Sequence, residues 1–214
     1  MSDAPFPSFT KKWHNTPYET INPTRPELSV KDKTIVVTGG GRGIGKNIVR
    51  AYAQAGAAFI GVTGRTEATL ETIRQSIETA FPNTQILTAV ADVSDFAAVD
   101  AAFKKFNEAV SGGGIDILIQ NAGLFPKARK ISEIDTPELL ASWWQGWEVN
   151  VLGLAVIAQA FVKYKSANDP KFINIGTAAT AFDPLPRFSG YNSSKFANAH
   201  VLQYFADENP SLKI

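Results

Sequence analysis

Apolar and polar positions along this chain follow two alternating rhythms. Short uncharged runs rich in β-branched residues are separated by longer segments whose apolar positions fall three or four residues apart. Thr34-Ile-Val-Val-Thr38 is the first such run; it ends in glycines and predicts a buried strand. Ile44, Ile48, Val49 and Tyr52 then recur at helical spacing, predicting a helix over 44–55 with Gly56 as its C-terminal stop. The alternation predicts further strands at 58–63, 85–91, 117–119 and 172–175. It predicts helices over 67–80, with Leu70, Ile73 and Ile77 on one face, and over 95–110, 137–166 and 191–207. Strands alternating with helices fold as right-handed β-α-β units, so the expected fold class is α/β, a doubly wound parallel sheet with helices on both faces.

The two ends break this rhythm. Residues 1–33 carry Pro5, Pro7, Pro17, Pro23 and Pro26 and show no period, which predicts an extended arm, docked on the domain or mobile. A single domain over 34–214 follows. Asn209-Pro-Ser-Leu-Lys-Ile214 ends the last helix and starts another strand, so the domain is expected to be C-terminally incomplete.

Composition removes several functions. The 214 residues suffice for one sizeable core. A net charge of +1 supplies no basic field for nucleic acid. The absence of cysteine excludes a disulfide framework, a thiolate metal site and a cysteine nucleophile. The histidines, His14 and His200, lie far apart without ligand spacing. No apolar stretch reaches membrane-spanning length and no signal peptide opens the chain, so a soluble, cytoplasmic protein is expected.

Two groups of residues point to chemistry. Thr38-Gly-Gly-Gly-Arg-Gly-Ile-Gly45 lies between the first strand and the first helix. Glycines there permit a tight turn, let the backbone approach a pyrophosphate and let the helix pack hard on the strand. The free N–H groups of the helix then face the phosphates. The usual acid for a ribose 2′-hydroxyl is missing from Gly61-Val-Thr-Gly-Arg-Thr66; Arg65 stands there, and Arg42 lies inside the turn. Two guanidiniums can clamp a 2′-phosphate, which favours NADP(H) over NAD(H). The second group is Tyr191 and Lys195 in Tyr-Asn-Ser-Ser-Lys, one helical turn apart and so on one face. A phenol ordinarily ionises near pH ~10, and a fixed positive charge beside it favours the phenolate.

These motifs, taken in order, resemble the short-chain dehydrogenase/reductase family, whose fold is Rossmann-like and whose active site carries Tyr-x-x-x-Lys. Thr38, Gly39, Gly41, Arg42, Gly43, Ile44 and Gly45 look like its cofactor turn. Asp92 and Val93 are similar to its adenine-contacting pair, and Gln120-Asn121-Ala122-Gly123 resembles its Asn-Asn-Ala-Gly with glutamine in first place. Asn150 in Glu-Val-Asn-Val matches the catalytic asparagine, and Tyr191 with Lys195 completes the pattern. The family's serine before the tyrosine is replaced; Thr177 or Thr180 in Asn174-Ile-Gly-Thr-Ala-Ala-Thr180 would take its place, with Thr177 favoured.

The resemblance implies strand order 3-2-1-4-5 with the later strands missing or incomplete. It implies hydride exchange between a nicotinamide and a carbonyl or secondary alcohol, with Tyr191 as proton donor and Lys195 tuning it and holding the nicotinamide ribose. Thr177 would hydrogen-bond the substrate oxygen, and Asn150 would anchor a water linking Lys195 to solvent. Leu124, Phe125, Phe182, Leu185 and Phe188 suggest an apolar small-molecule substrate. A homodimer or homotetramer is expected. The competing reading is a catalytically impaired cofactor-binding fragment that acts through a partner.

Overall fold

In the computed structural model, which describes residues 14, 16–110 and 113–214, five parallel strands form one sheet in the order β3-β2-β1-β4-β5. The strands are β1 (Thr34–Thr38), β2 (Phe59–Gly64), β3 (Gln85–Val90), β4 (Ile117–Gln120) and β5 (Lys171–Asn174). The order reverses at β1, where the chain crosses from one half of the sheet to the other. Doubly wound sheets bind ligands in the crevice beyond the strand C-termini at such a point.

Strand periodicity divides the core in two. Ile35 and Val37 of β1 join Ile60 and Val62 of β2 on one face, covered by Val49 of α1 (Gly43–Gln54) and by Leu70, Ile73 and Ile77 of α2 (Glu67–Ala80). Val36, Leu118 and Phe172 point the other way, against Phe103 and Phe106 of α3 (Phe96–Glu108) and Phe161 of α5 (Gly153–Tyr164). Both faces of the central strands are therefore buried, which is why their sequences read as unbroken apolar runs.

One expectation is corrected. The helix predicted over 137–166 is α4 (Pro137–Trp147), a π-helical turn (Glu148–Leu152) and α5. The wider turn inserts one residue into the helical period, which apolar spacing alone does not reveal. It is pinned on both sides: a Cβ at Gly146 would lie 2.6 Å from the Pro126 ring, and one at Gly153 would lie 2.7 Å from Val93. Ile44 shares the helical spacing of the buried Val49 but is 65% exposed. The last helix, α6, runs Ser189–Glu208, and the segment after it begins to pair in parallel with β5 through a single bridge, Lys171 to Lys213. Leu212 beside that bridge is buried in the core.

Of the proline-rich arm, Pro5 and Pro7 lie outside the described residues. The described part contains two short 3-10 turns, Glu19–Ile21 and Pro26–Leu28, and joins the domain where the Val30 amide donates to the Ala55 carbonyl at 3.0 Å. No helix among the described residues is long and apolar enough to cross a membrane.

Candidate active site

The cleft at the switch point encloses about 490 Å³. Its floor is the glycine turn between β1 and α1. Gly39 and Gly43 both adopt positive φ, +65° and +56°, which only glycine takes without strain. A Cβ at Gly43 would meet nothing within 4 Å, so the turn is open toward the cleft. No side chain caps the N-terminus of α1, and its first-turn amides are left to an external acceptor. An open turn over an uncapped helix N-terminus suits a diphosphate.

Thr38 and Asn121 hold this floor to the neighbouring strand end. The Thr38 hydroxyl accepts from the amides of Asn121 and Ala122, both at 3.1 Å. The Asn121 carboxamide donates to the carbonyls of Thr38 and Gly39 at 2.9 and 3.1 Å. Thr38 is fully buried. Thr38→Val therefore leaves two part-buried amides without their acceptor, at a cost of up to about 1–3 kcal/mol each. Chemical denaturation of the variant is expected to show a loss of that order, whatever its ligand.

Gly41, Arg42, Ile44 and Gly45 line the cleft with Arg65, Asp92, Val93, Ala122 and Gly123. Ile44 is exposed because it faces this opening. Arg65 and Asp92 come from the ends of adjacent strands and pair loosely at 3.8 Å. Burial pushes the Asp92 carboxyl up, but the Ser94 hydroxyl at 2.7 Å and amide at 3.0 Å, with the Arg65 charge, outweigh it and hold it below the usual carboxylate range. Arg42 is exposed. Among the described residues, no group of three or more histidine, aspartate or glutamate side chains could hold a metal ion.

The other end of the site is built on α6 and the π-helical turn. Lys195 is 5% exposed, and its ammonium donates to the Ile175 carbonyl at 2.9 Å. Burial pushes it below the usual lysine range. A Cβ at Gly123 would stand 3.5 Å from the Lys195 nitrogen and 3.2 Å from Asn150 Oδ1, so the glycine lets the cleft wall close onto both. Asn150, fully buried, accepts from the Leu124 amide at 2.8 Å and donates to the Leu124 carbonyl at 2.9 Å and to Ser194 Oγ at 3.0 Å. Both of its N–H groups are thus engaged within the protein. Tyr191 is half-buried in the first turn of α6, its ring centroid 4.6 Å from that of Phe125.

Thr177 leads into a 3-10 turn, where its hydroxyl oxygen accepts from the Ala179 amide at 3.3 Å. The Thr180 hydroxyl instead donates to the Thr177 carbonyl at 2.9 Å. Among the described residues, the Thr177 hydroxyl donates to no such partner.

Sequence reasoning missed the layer behind these residues. Asn198 donates to the Asn150 carbonyl at 2.5 Å and accepts from Asn174 at 2.8 Å, joining α6, the π-helical turn and the end of β5. Ser194 donates to the Tyr191 carbonyl at 2.8 Å while accepting from Asn150. The available signal was polarity: Ser194 and Asn198 fall on the Lys195 side of a helix whose inner face should be apolar.

Fold and site together define a dinucleotide-binding α/β protein with a Tyr–Lys pair beside the cleft. Comparison with known proteins is specific. The model of the short chain dehydrogenase family matches residues 33–214. The short chain dehydrogenase/reductase AacuD of Aspergillus aculeatus is 30% identical over 207 residues, 96% of this chain and 69% of that protein. The short chain dehydrogenase tazN of Aspergillus terreus is 32% identical over 192 residues, 88% of this chain but 40% of that protein. An alcohol dehydrogenase from Thermococcus sibiricus, solved with 5-hydroxy-NADP, superposes with a TM-score of 0.76 at 28% identity, covering 85% of this chain and 73% of that one. The chain belongs to the short-chain dehydrogenase/reductase family, a family of oxidoreductases that bind a nicotinamide cofactor.

Proposed function

We propose that this protein is an NADP(H)-dependent oxidoreductase that interconverts a carbonyl and a secondary alcohol on an apolar small molecule. The placement of Lys195 carries the reading: it is buried, one helical turn from Tyr191, with its ammonium between the Ile175 carbonyl and the Gly123 wall of the cleft. A nicotinamide bound along the cleft supplies or receives the hydride. Tyr191 exchanges a proton with the substrate oxygen, and the Lys195 charge stabilises the negative charge this leaves on the phenol. One Lys195 N–H is held by Ile175, which leaves two for ribose hydroxyls. The Thr177 hydroxyl donates to the substrate oxygen. Asn150 fixes the Leu124 backbone, and any water linking Lys195 to solvent would approach the oxygen of its carboxamide. Residues 34–214 act as one domain. A homodimer or homotetramer through α5 and α6 is supported by the exposed Val162, Phe196 and Tyr204, and a cytoplasmic location goes with this reading.

Arg42 and Arg65 flank the adenosine end of the cleft, which supports NADP(H), as does the NADP analogue in the Thermococcus sibiricus neighbour. A hydrogen bond to a charged group contributes about 1.5–3 kcal/mol, so Arg42→Ala with Arg65→Ala is expected to raise the NADPH Kd by at least about tenfold. NADH affinity should stay unchanged. Fluorescence titration with both nucleotides measures this, and equal wild-type affinities would overturn the preference. The reaction itself is tested by NADPH oxidation against a panel of ketones. NADPH binding without turnover of any of them would leave a cofactor-binding protein acting through a partner.

A further inference from the structure

The Phe125 ring is 51% exposed, yet it stands against the phenol that handles the proton. Its centroid lies 4.6 Å from that of Tyr191, at an interplanar angle of 40°, and 5.3 Å from that of Phe188, which it meets edge-on. An apolar ring on a free loop would fold away from water. Here the backbone is held on both sides. Leu124 exchanges two hydrogen bonds with the Asn150 carboxamide. Pro126 is buried against Gly146 of α4, where a Cβ would come within 2.6 Å of it. Further along, the Arg129 amide donates to the Arg187 carbonyl at 2.9 Å, tying this loop to the segment that carries Phe188. Leu124 lines the cleft wall, and Phe125 follows it in the chain with its ring against Tyr191.

A single exposed apolar side chain is ordinary, but three aromatic rings in contact beside the cleft form a surface that suits a ligand. The ligand it suits is set by the ring itself. An aromatic face carries a quadrupole that favours offset stacking with another planar π-system, beyond what apolar area provides. Resting on the reading that Tyr191 exchanges a proton with a substrate oxygen, we propose that Phe125 selects the substrate, and that the substrate is a ketone whose carbonyl is bonded to a planar aromatic or conjugated ring stacked on the exposed face of Phe125. Conjugation keeps the carbonyl in the ring plane. A ring lying on Phe125 therefore carries its oxygen toward the neighbouring Tyr191 in one orientation, whereas an aliphatic chain on the same surface leaves that orientation free.

The test uses the full chain with NADPH and two ketones of equal carbon count, propiophenone and a straight-chain methyl ketone. Wild type, Phe125→Ala and Phe125→Leu are compared by steady-state kinetics and, with NADPH bound, by ligand-observed NMR. Propiophenone is expected to lose about two- to tenfold in kcat/KM in Phe125→Leu, and more in Phe125→Ala, mainly through KM, because neither retains a π-face. The aliphatic ketone should lose activity in Phe125→Ala and recover it in Phe125→Leu, which restores bulk. Recovery of both ketones by leucine, or a wild-type preference for the aliphatic one, overturns the proposal. If wild type reduces neither ketone, the wider ketone panel decides the oxidoreductase reading and binding decides this one. Aryl-selective binding lost in both variants upholds it, and its absence overturns it. Unchanged kinetics and binding with an altered elution volume would assign the ring to a contact between copies of the chain, which also overturns it.

Discussion

Tyr191→Phe is expected to lower kcat by about 10²–10⁴-fold while leaving NADPH affinity unchanged, because a positioned proton donor contributes a factor of that size. The substitution removes one oxygen and keeps the ring. Its packing against Phe125 persists, and so does the backbone bond from the Tyr191 amide to the Phe188 carbonyl at 3.1 Å. The Ser194 hydroxyl reaches residue 191 through its carbonyl, which phenylalanine also supplies. Lys195 is anchored on Ile175 and keeps its place. A loss of turnover with unchanged stability and NADPH binding therefore reports the proton alone. Single-turnover NADPH oxidation, with nucleotide titration alongside, is the measurement. Turnover equal to wild type would remove Tyr191 from the chemistry.

Gly45→Ala is expected to abolish tight cofactor binding and to lower stability together. Its Cβ would fall 2.3 Å from the Gly39 carbonyl oxygen, 2.6 Å from the Asn121 nitrogen and 2.9 Å from the Gly40 Cα. Two of these neighbours are backbone and cannot rotate away, so α1 must back off from β1. Overpacking of this kind costs about 1–3 kcal/mol or more, which corresponds to roughly fivefold to over a hundredfold in Kd where the displaced amides bind phosphate. Gly43→Ala separates space from function. Its Cβ meets no protein atom, so its stability cost is the strain at φ +56°, about 1–2 kcal/mol, while the methyl stands at the open face of the turn. Thermal melts and NADPH titration of both variants check this. Gly45→Ala should be the less stable of the two. A Gly45→Ala protein that binds NADPH like wild type would place the phosphates elsewhere.

The sheet was legible in the sequence because each central strand is buried on both faces, and such strands are uniform apolar runs between turns. Helix α2 was legible because Leu70, Ile73 and Ile77 keep strict helical spacing on a one-sided face. For Ile44 the local period decides nothing, because an apolar residue that lines a cleft has the same spacing as one that fills a core. The π-helical turn was invisible for a related reason. Its extra residue is accommodated by Pro126 and Val93, which arrive from distant loops and leave no mark in the local period.

The site divides along the same line. Motifs bound to one turn of backbone could be read directly: the glycine turn, whose angles exclude other residues, and Tyr191 with Lys195, whose spacing is one helical turn. Sequence by itself also determined the charge balance, the lack of cysteine and the alternation that requires a parallel sheet. Only tertiary structure decided that Asn150 clamps Leu124, that Asn198 ties α6 to both the π-helical turn and β5, and that Phe125 is held exposed against Tyr191. These contacts join residues far apart in the chain. Which polar groups must satisfy one another once water is excluded depends on which elements meet, and the local pattern of a sequence carries no record of that.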